Sequence, residues 1–153
     1  MNRDLLKNSV AGVYNIQKPA RALPLVFDSP HSGRTYPANF DHACDEALLR
    51  RGEDNHVDEL LENSPRYGAS LLCAEFPRTY IDANRALDDI EPDILSEPWP
   101  EPLNPTDRAL TGIGLIRRHI KPGIFVYDRK LSVNEIQQRI EDIIQTEEKL
   151  GAG

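Results

Sequence analysis

Leu25-Val26-Phe27-Asp28-Ser29-Pro30-His31-Ser32-Gly33-Arg34-Thr35-Tyr36-Pro37 passes from an apolar run straight into a polar, turn-rich segment with one histidine. Short apolar runs bounded by Pro and Gly read as core strands of an α/β fold. Ligands of open α/β sheets sit just beyond the carboxyl ends of such strands. The stretch therefore predicts a buried strand over Pro24 to Ser29 that delivers His31 to a sheet edge. A lone histidine more often only satisfies its own turn. The polar clusters further along raise His31 above that reading.

Working outward, Asp45 to Arg51 predicts a short helix capped near Asp45 and ended by Gly52. Val57, Leu60, Leu61 and Ser64 follow helical spacing, so Asn55 to about Arg66 reads as an amphipathic helix stopped near Pro65 and Gly68. Ala69 to Ala74 is again apolar and of strand length. Strand, helix, strand implies a right-handed crossover and parallel pairing. The expected class is α/β, a mostly parallel or mixed sheet with flanking helices.

Before the first strand, residues 1–23 read as a covering segment or as an edge strand around Gly12 to Ile16, and after Ala74, Tyr80 and Ile81 could open another. Prolines 92, 98, 100, 102 and 105 exclude helix or central strand from Glu91 to Pro105, leaving a surface loop anchored by Trp99. Ser132-Val133-Asn134-Glu135 matches a capping box, and Val133, Ile136, Ile140, Ile143 and Ile144 form one apolar stripe. That helix is expected to run to about Leu150.

Bulk properties narrow the function. At 153 residues with 39% apolar side chains the chain suits one domain, residues 1–153. Twenty-five acidic against 18 basic residues leave a net charge of -7, which disfavours nucleic acid as a partner. No apolar run approaches membrane-spanning length, and the N-terminus lacks a secretory apolar core. Cys44 and Cys73 read as reduced thiols, so a cytoplasmic location is expected.

Three clusters carry chemistry. His31 is the first. The second is Glu53-Asp54-Asn55-His56-Val57-Asp58-Glu59, where Asp54 and Asp58 stand four apart and therefore share a helix face at its N-terminal end. Carboxylates in a first turn also serve as plain capping chemistry. His56 points elsewhere, and His119 lies among Arg117, Arg118 and Lys121, whose charge opposes a metal dication. One imidazole and one carboxylate fall short of the three protein ligands of a catalytic zinc. The third cluster, Arg78 with Asp82-Ala83-Asn84-Arg85, offers a guanidinium fork and an amide suited to a carboxylate. The competing reading pairs Arg85 with Asp88 or Asp89. Ser32 lacks the Gly-x-Ser-x-Gly elbow of a nucleophile.

Together, Asp28-Ser29-Pro30-His31-Ser32-Gly33-Arg34-x-Tyr36-Pro37, Glu53-Asp54-Asn55-His56-Val57-Asp58-Glu59-Leu60 and Pro77-Arg78-x-Tyr80-x-Asp82-x-Asn84-Arg85 resemble the N-formylglutamate amidohydrolase (deformylase) family, over about residues 24–140. The resemblance implies a fold distantly like the zinc carboxypeptidases (phosphorylase/hydrolase-like). It also implies a zinc-activated water and hydrolysis of N-formyl-L-glutamate to formate and L-glutamate in histidine degradation. By that resemblance His31 opens the metal motif. Arg34 occupies the glutamate position of His-x-x-Glu, so Asp54, with Asp58 second, becomes the carboxylate ligand. Asn84-Arg85 matches the pair that holds a substrate carboxylate, with Arg78 a second cation for a small-molecule dicarboxylate.

Family members run further and carry an Asp-x-His-Ser-Met motif that supplies the last metal histidine. This implies an N-terminal portion, incomplete at its C-terminus through truncation or frame shift, that binds zinc weakly. The alternative is a non-catalytic, carboxylate-binding module without metal.

Overall fold

In the computed structural model, which describes residues 9–144, three strands form the central sheet in the order β1-β3-β2. β1 (Tyr14–Gln17) pairs antiparallel with β3 (Ser70–Ala74), Tyr14 opposite Ala74, and β2 (Val26–Ser29) pairs parallel with β3, Phe27 opposite Leu71. The parallel crossover and the mixed α/β class follow the sequence pattern. The expected burial of β2 does not. Val26 is 64% exposed and only Ser29 is buried, because β2 is an edge with nothing beyond it among the described residues.

The connecting helices are shorter than expected. α1 (Glu46–Leu49) continues as a 3₁₀ turn to Gly52, and Asp45 makes no side-chain cap. α2 (Val57–Leu61) begins two residues later than predicted, because His56 takes a left-handed conformation with φ 67°. It stops early as the chain tightens into a 3₁₀ turn over Ser64–Tyr67, and Gly68, φ 94°, ends it. Leu60 is 82% exposed while Val57, Leu61 and Ser64 are half-buried, so the predicted amphipathic face is only partly covered. Tyr80 and Ile81 open no strand; Tyr80 N–H closes a turn on Pro77, and Asp82 N–H reaches Leu115.

The loop from Glu91 to Pro105 is irregular apart from a 3₁₀ turn at Pro92–Ile94, with Trp99 against the core, as its prolines dictate. After α3 (Asp107–Leu110), a hairpin of β4 (His119–Lys121) and β5 (Ile124–Phe125) leads to α4 (Val133–Arg139), prolonged by a π-helical turn over Ile140–Ile144. Ile136, Ile140 and Ile143 are buried, so the apolar stripe is core. The predicted run to Leu150 lies outside the described residues. No described helix is long and apolar enough to cross a membrane.

Only half of the predicted capping box forms. Ser132 Oγ accepts from Glu135 N–H, while the Glu135 carboxylate takes a fork of hydrogen bonds from Arg129 (2.8 and 2.9 Å) and another from Arg139 (3.0 Å). Arg129's hydrogen bonds hold the Glu135 carboxyl below the usual glutamate range, outweighing the opposing effect of burial. A carboxyl depressed in the folded state stabilises the fold above its unfolded value of about 4.3, and that contribution is lost as pH falls through the folded value. Glu135→Gln is therefore expected to melt lower than the parent at pH 7 and to show a shallower fall in melting temperature below about pH 5. Parallel pH profiles would remove Glu135 from the acid transition.

Candidate functional site

β2 ends at Ser29, and Pro30 turns the chain so that His31, Ser32 and Gly33 run buried along the exit of β3. Thr35 N–H donates to the Glu75 carbonyl, and Ser32 Oγ donates to the Asp54 carbonyl at 2.7 Å. Asp54 N–H donates in return to the His31 carbonyl at 3.0 Å. This lacing brings the first two sequence clusters together. It also gives Ser32 a structural bond rather than the setting of a nucleophile.

The third cluster arrives on the turn after β3. His31 Nε2 lies 2.7 Å from Asp82 Oδ1 and its Nδ1 lies 3.1 Å from Asp54 Oδ2. Arg78 spans both carboxylates, donating to Asp54 Oδ1 at 3.1 Å and Asp82 Oδ2 at 3.0 Å. Asn84 N–H adds a third hydrogen bond to Asp82, which is fully buried. Burial alone would raise the Asp82 carboxyl, but the His31 and Arg78 contacts overcome it and hold the group down at about 2. Asp82 is thus an anion that accepts from His31 Nε2–H. In the sequence it stands in the third cluster and the third motif, four residues after Arg78, without a role of its own.

With Nε2–H committed to Asp82, Nδ1 faces an oxygen of half-exposed Asp54. A neutral imidazole would set lone pair against lone pair there, a contact relieved by a shared proton or a shared cation. A buried carboxylate on the far ring nitrogen is also how metal-binding histidines are oriented. His31 and Asp54 therefore fit as two donors to one cation. Among the described residues no group of three or more His, Cys, Asp or Glu is placed to hold a metal ion.

The other predicted ligands and grips lie apart. Because α2 starts at Val57, Asp54 is not on it and shares no face with Asp58. Asp58 instead lines a cleft of about 460 Å³ with Ser32, Arg34 and Cys73, and no hydrogen bond or ion pair joins it to His31 among the described residues. Burial, with help from Asp58 and Asp28, pushes the Cys73 thiol up to about 11. Glu53 turns away from the cluster to accept from the Tyr36 hydroxyl. His56 pairs with Glu59, His42 faces the Cys44 carbonyl, and His119 packs on Phe125. Asn84 is exposed, and Arg85 Nη1 lies 3.6 Å from Asp89, the internal pairing weighed against a ligand role. At that separation it is a loose ion pair and not a hydrogen bond.

A small mixed sheet with helices, carrying a histidine–carboxylate–arginine cluster beyond a strand end, defines an α/β protein with a polar strand-end site. The chain belongs to the N-formylglutamate amidohydrolase family, whose model matches residues 23–145. The solved structure of N-formylglutamate amidohydrolase from Ralstonia eutropha JMP134 is similar with a TM-score of 0.86 and 47% identity, over 92% of this chain and 51% of that one. N-formylglutamate deformylase of Pseudomonas putida is 38% identical over 68 residues, 44% of this chain and 26% of that protein. The family expected from the three motifs is thus borne out, and the chain matches about half the length of the solved relative.

Proposed function

We propose that this chain carries the histidine–carboxylate and arginine part of a zinc-dependent site that hydrolyses N-formyl-L-glutamate to formate and L-glutamate, a cytoplasmic step of histidine degradation. The observation that supports it best is His31 held between Asp54 and Asp82 with Arg78 across both carboxylates. His31 and Asp54 would hold the ion, which when bound would lower the pKa of a water to around 7 and polarise the formyl carbonyl. Asp82 fixes the imidazole so that Nδ1 keeps facing Asp54. Asn84 and Arg85 would hold the substrate carboxylate, joined by Arg78 once one of its Nη groups lets go of Asp54 or Asp82. Arg85 must leave Asp89 to do so, a loose contact that is cheap to break.

Two protein donors bind zinc weakly. Formate release from N-formyl-L-glutamate is therefore expected to appear only with zinc in excess, to vanish with a chelator, and to vanish in His31→Ala. Glutamate binding without any formate release at saturating zinc would instead mark a carboxylate-binding module. The absence of metal in that reading is favoured by Arg78, which already pairs the Asp54 carboxylate that an ion would need.

A further inference from the structure

Arg117 has no role in the network just described, yet it sits beside it. The segment that carries it is fixed when the Leu115 carbonyl accepts from Asp82 N–H at 2.8 Å. Its Nη1 lies 3.5 Å from where a Cβ on Gly52 would stand, two residues before Asp54. Arg78, Asp82, Arg85 and Asp54 all act on its charge. The side chain is only 8% exposed, and its Nε is buried without a hydrogen-bond partner. Among the described residues no carboxylate comes within ion-pair distance of it.

Arg78, Arg129 and Arg139 share the Nε without a hydrogen bond, but each of them has a carboxylate partner, and among the described residues Arg117 does not. Arg118, next in sequence, is forked onto Glu91 at 2.5 and 2.7 Å. Arg139 has two carbonyls, a hydroxyl and a carboxylate. Asp54 and Asp82 already accept from His31, Arg78 and Asn84, and neither carboxylate reaches ion-pair distance of Arg117. Burial, and then the field of Arg78, weaken its hold on the proton, to about 10, which leaves it cationic at neutral pH. A desolvated cation without a counter-charge destabilises the fold unless something else supplies the anion.

We propose that Arg117 receives the second carboxylate of the ligand, so that the site selects dicarboxylates over monocarboxylates. The inference rests on the dicarboxylate reading of this site and names the residue that enforces it. Arg78, Asn84 and Arg85 take one carboxylate, and Arg117 supplies the fork for the other. Charge-assisted forks of this kind discriminate well, because an amide in place of the carboxylate leaves the guanidinium unpaired.

Calorimetry with glutarate and with glutaramate, its mono-amide, tests this on the parent chain, Arg117→Met and Arg117→Lys. The parent is expected to prefer glutarate on the order of 10- to 100-fold. Arg117→Met should abolish that preference while changing glutaramate affinity less than about twofold, and Arg117→Lys should restore part of it. The ligand-free Arg117→Met protein should melt no lower than the parent, since an unpaired buried charge is removed. Failure of the parent to bind glutarate, an undiminished preference in Arg117→Met, or equal loss of both ligands would each overturn the proposal. A lower melting temperature with the preference intact would make Arg117 structural. Loss of preference in Arg117→Met without formate release in the parent would keep this inference while refuting the hydrolase; formate release with an unaltered preference would do the reverse.

Discussion

Arg139→Met is expected to destabilise the fold by about 3–5 kcal/mol, a fall in melting temperature on the order of 10 °C. The Arg139 side chain is 1% exposed and acts as the hub of the core. Nη1 donates to the Tyr80 carbonyl at 3.0 Å and the Tyr127 hydroxyl at 2.6 Å, while Nη2 donates to Glu135 at 3.0 Å and the Phe40 carbonyl at 3.3 Å. The guanidinium also lies 4.3 Å from the centre of the Tyr80 ring, with Tyr127 and Phe40 at 5.5 and 5.6 Å. Exchanging a buried ion pair for apolar atoms is often harmless when both charges go. Here the groups left behind are main-chain carbonyls, which no side-chain exchange removes and which would stay buried without a donor. Glu135 suffers less, because Arg129 still holds it. Arg50→Ala, which removes an exposed pair with Glu46, is the control and should melt with the parent. Equal melting of Arg139→Met and the parent would show that aromatic packing alone carries this core.

How far the sequence could be read follows from the range of each interaction. The strand Ser70–Ala74 and the helix from Val133 were legible because their determinants lie within a few residues, as an apolar run, spacings and the Ser132 cap, whereas Tyr14–Gln17, without clean periodicity, was open to a second reading. The edge position of β2 was not, since exposure of a strand is decided by neighbours remote in sequence. At the site, His31, Asp54 and Arg78 were legible as residue types and do converge. Asp54 and Asp58 were misread as one face because helix spacing was assumed where His56 breaks it. Asp82 was named only within the third cluster and motif, and Arg117 only as a charge opposing a metal. The weight of Asp82 lies in its burial and in His31, 51 residues away, and that of Arg117 in burial without a carboxylate, and spacing along the chain shows neither.

Gly33→Ala should cost about 3 kcal/mol or more and disable the site with it. A methyl group there would lie 2.1 Å from the Phe76 carbonyl oxygen and 2.5 Å from the Glu75 carbonyl carbon. Both are main-chain atoms at the exit of β3, so neither can rotate away as a side chain would. Either the loop after β2 or the end of β3 must shift. The loop carries His31 two residues earlier and Ser32, whose hydroxyl holds the Asp54 carbonyl, so the shift falls on the contacts that orient His31 against Asp54 and Asp82. Gly12 makes an instructive comparison. Its φ of +78° disfavours alanine, but nothing lies within 4 Å of the added Cβ. Gly12→Ala should therefore cost only the left-handed penalty of about 1–2 kcal/mol and leave ligand binding intact. Denaturant melts and glutarate calorimetry on the two variants separate lack of room from backbone conformation. If Gly33→Ala melts at or above Gly12→Ala, or binds glutarate as the parent does, the close passage of the His31 loop over Glu75 and Phe76 does not set the geometry of the site.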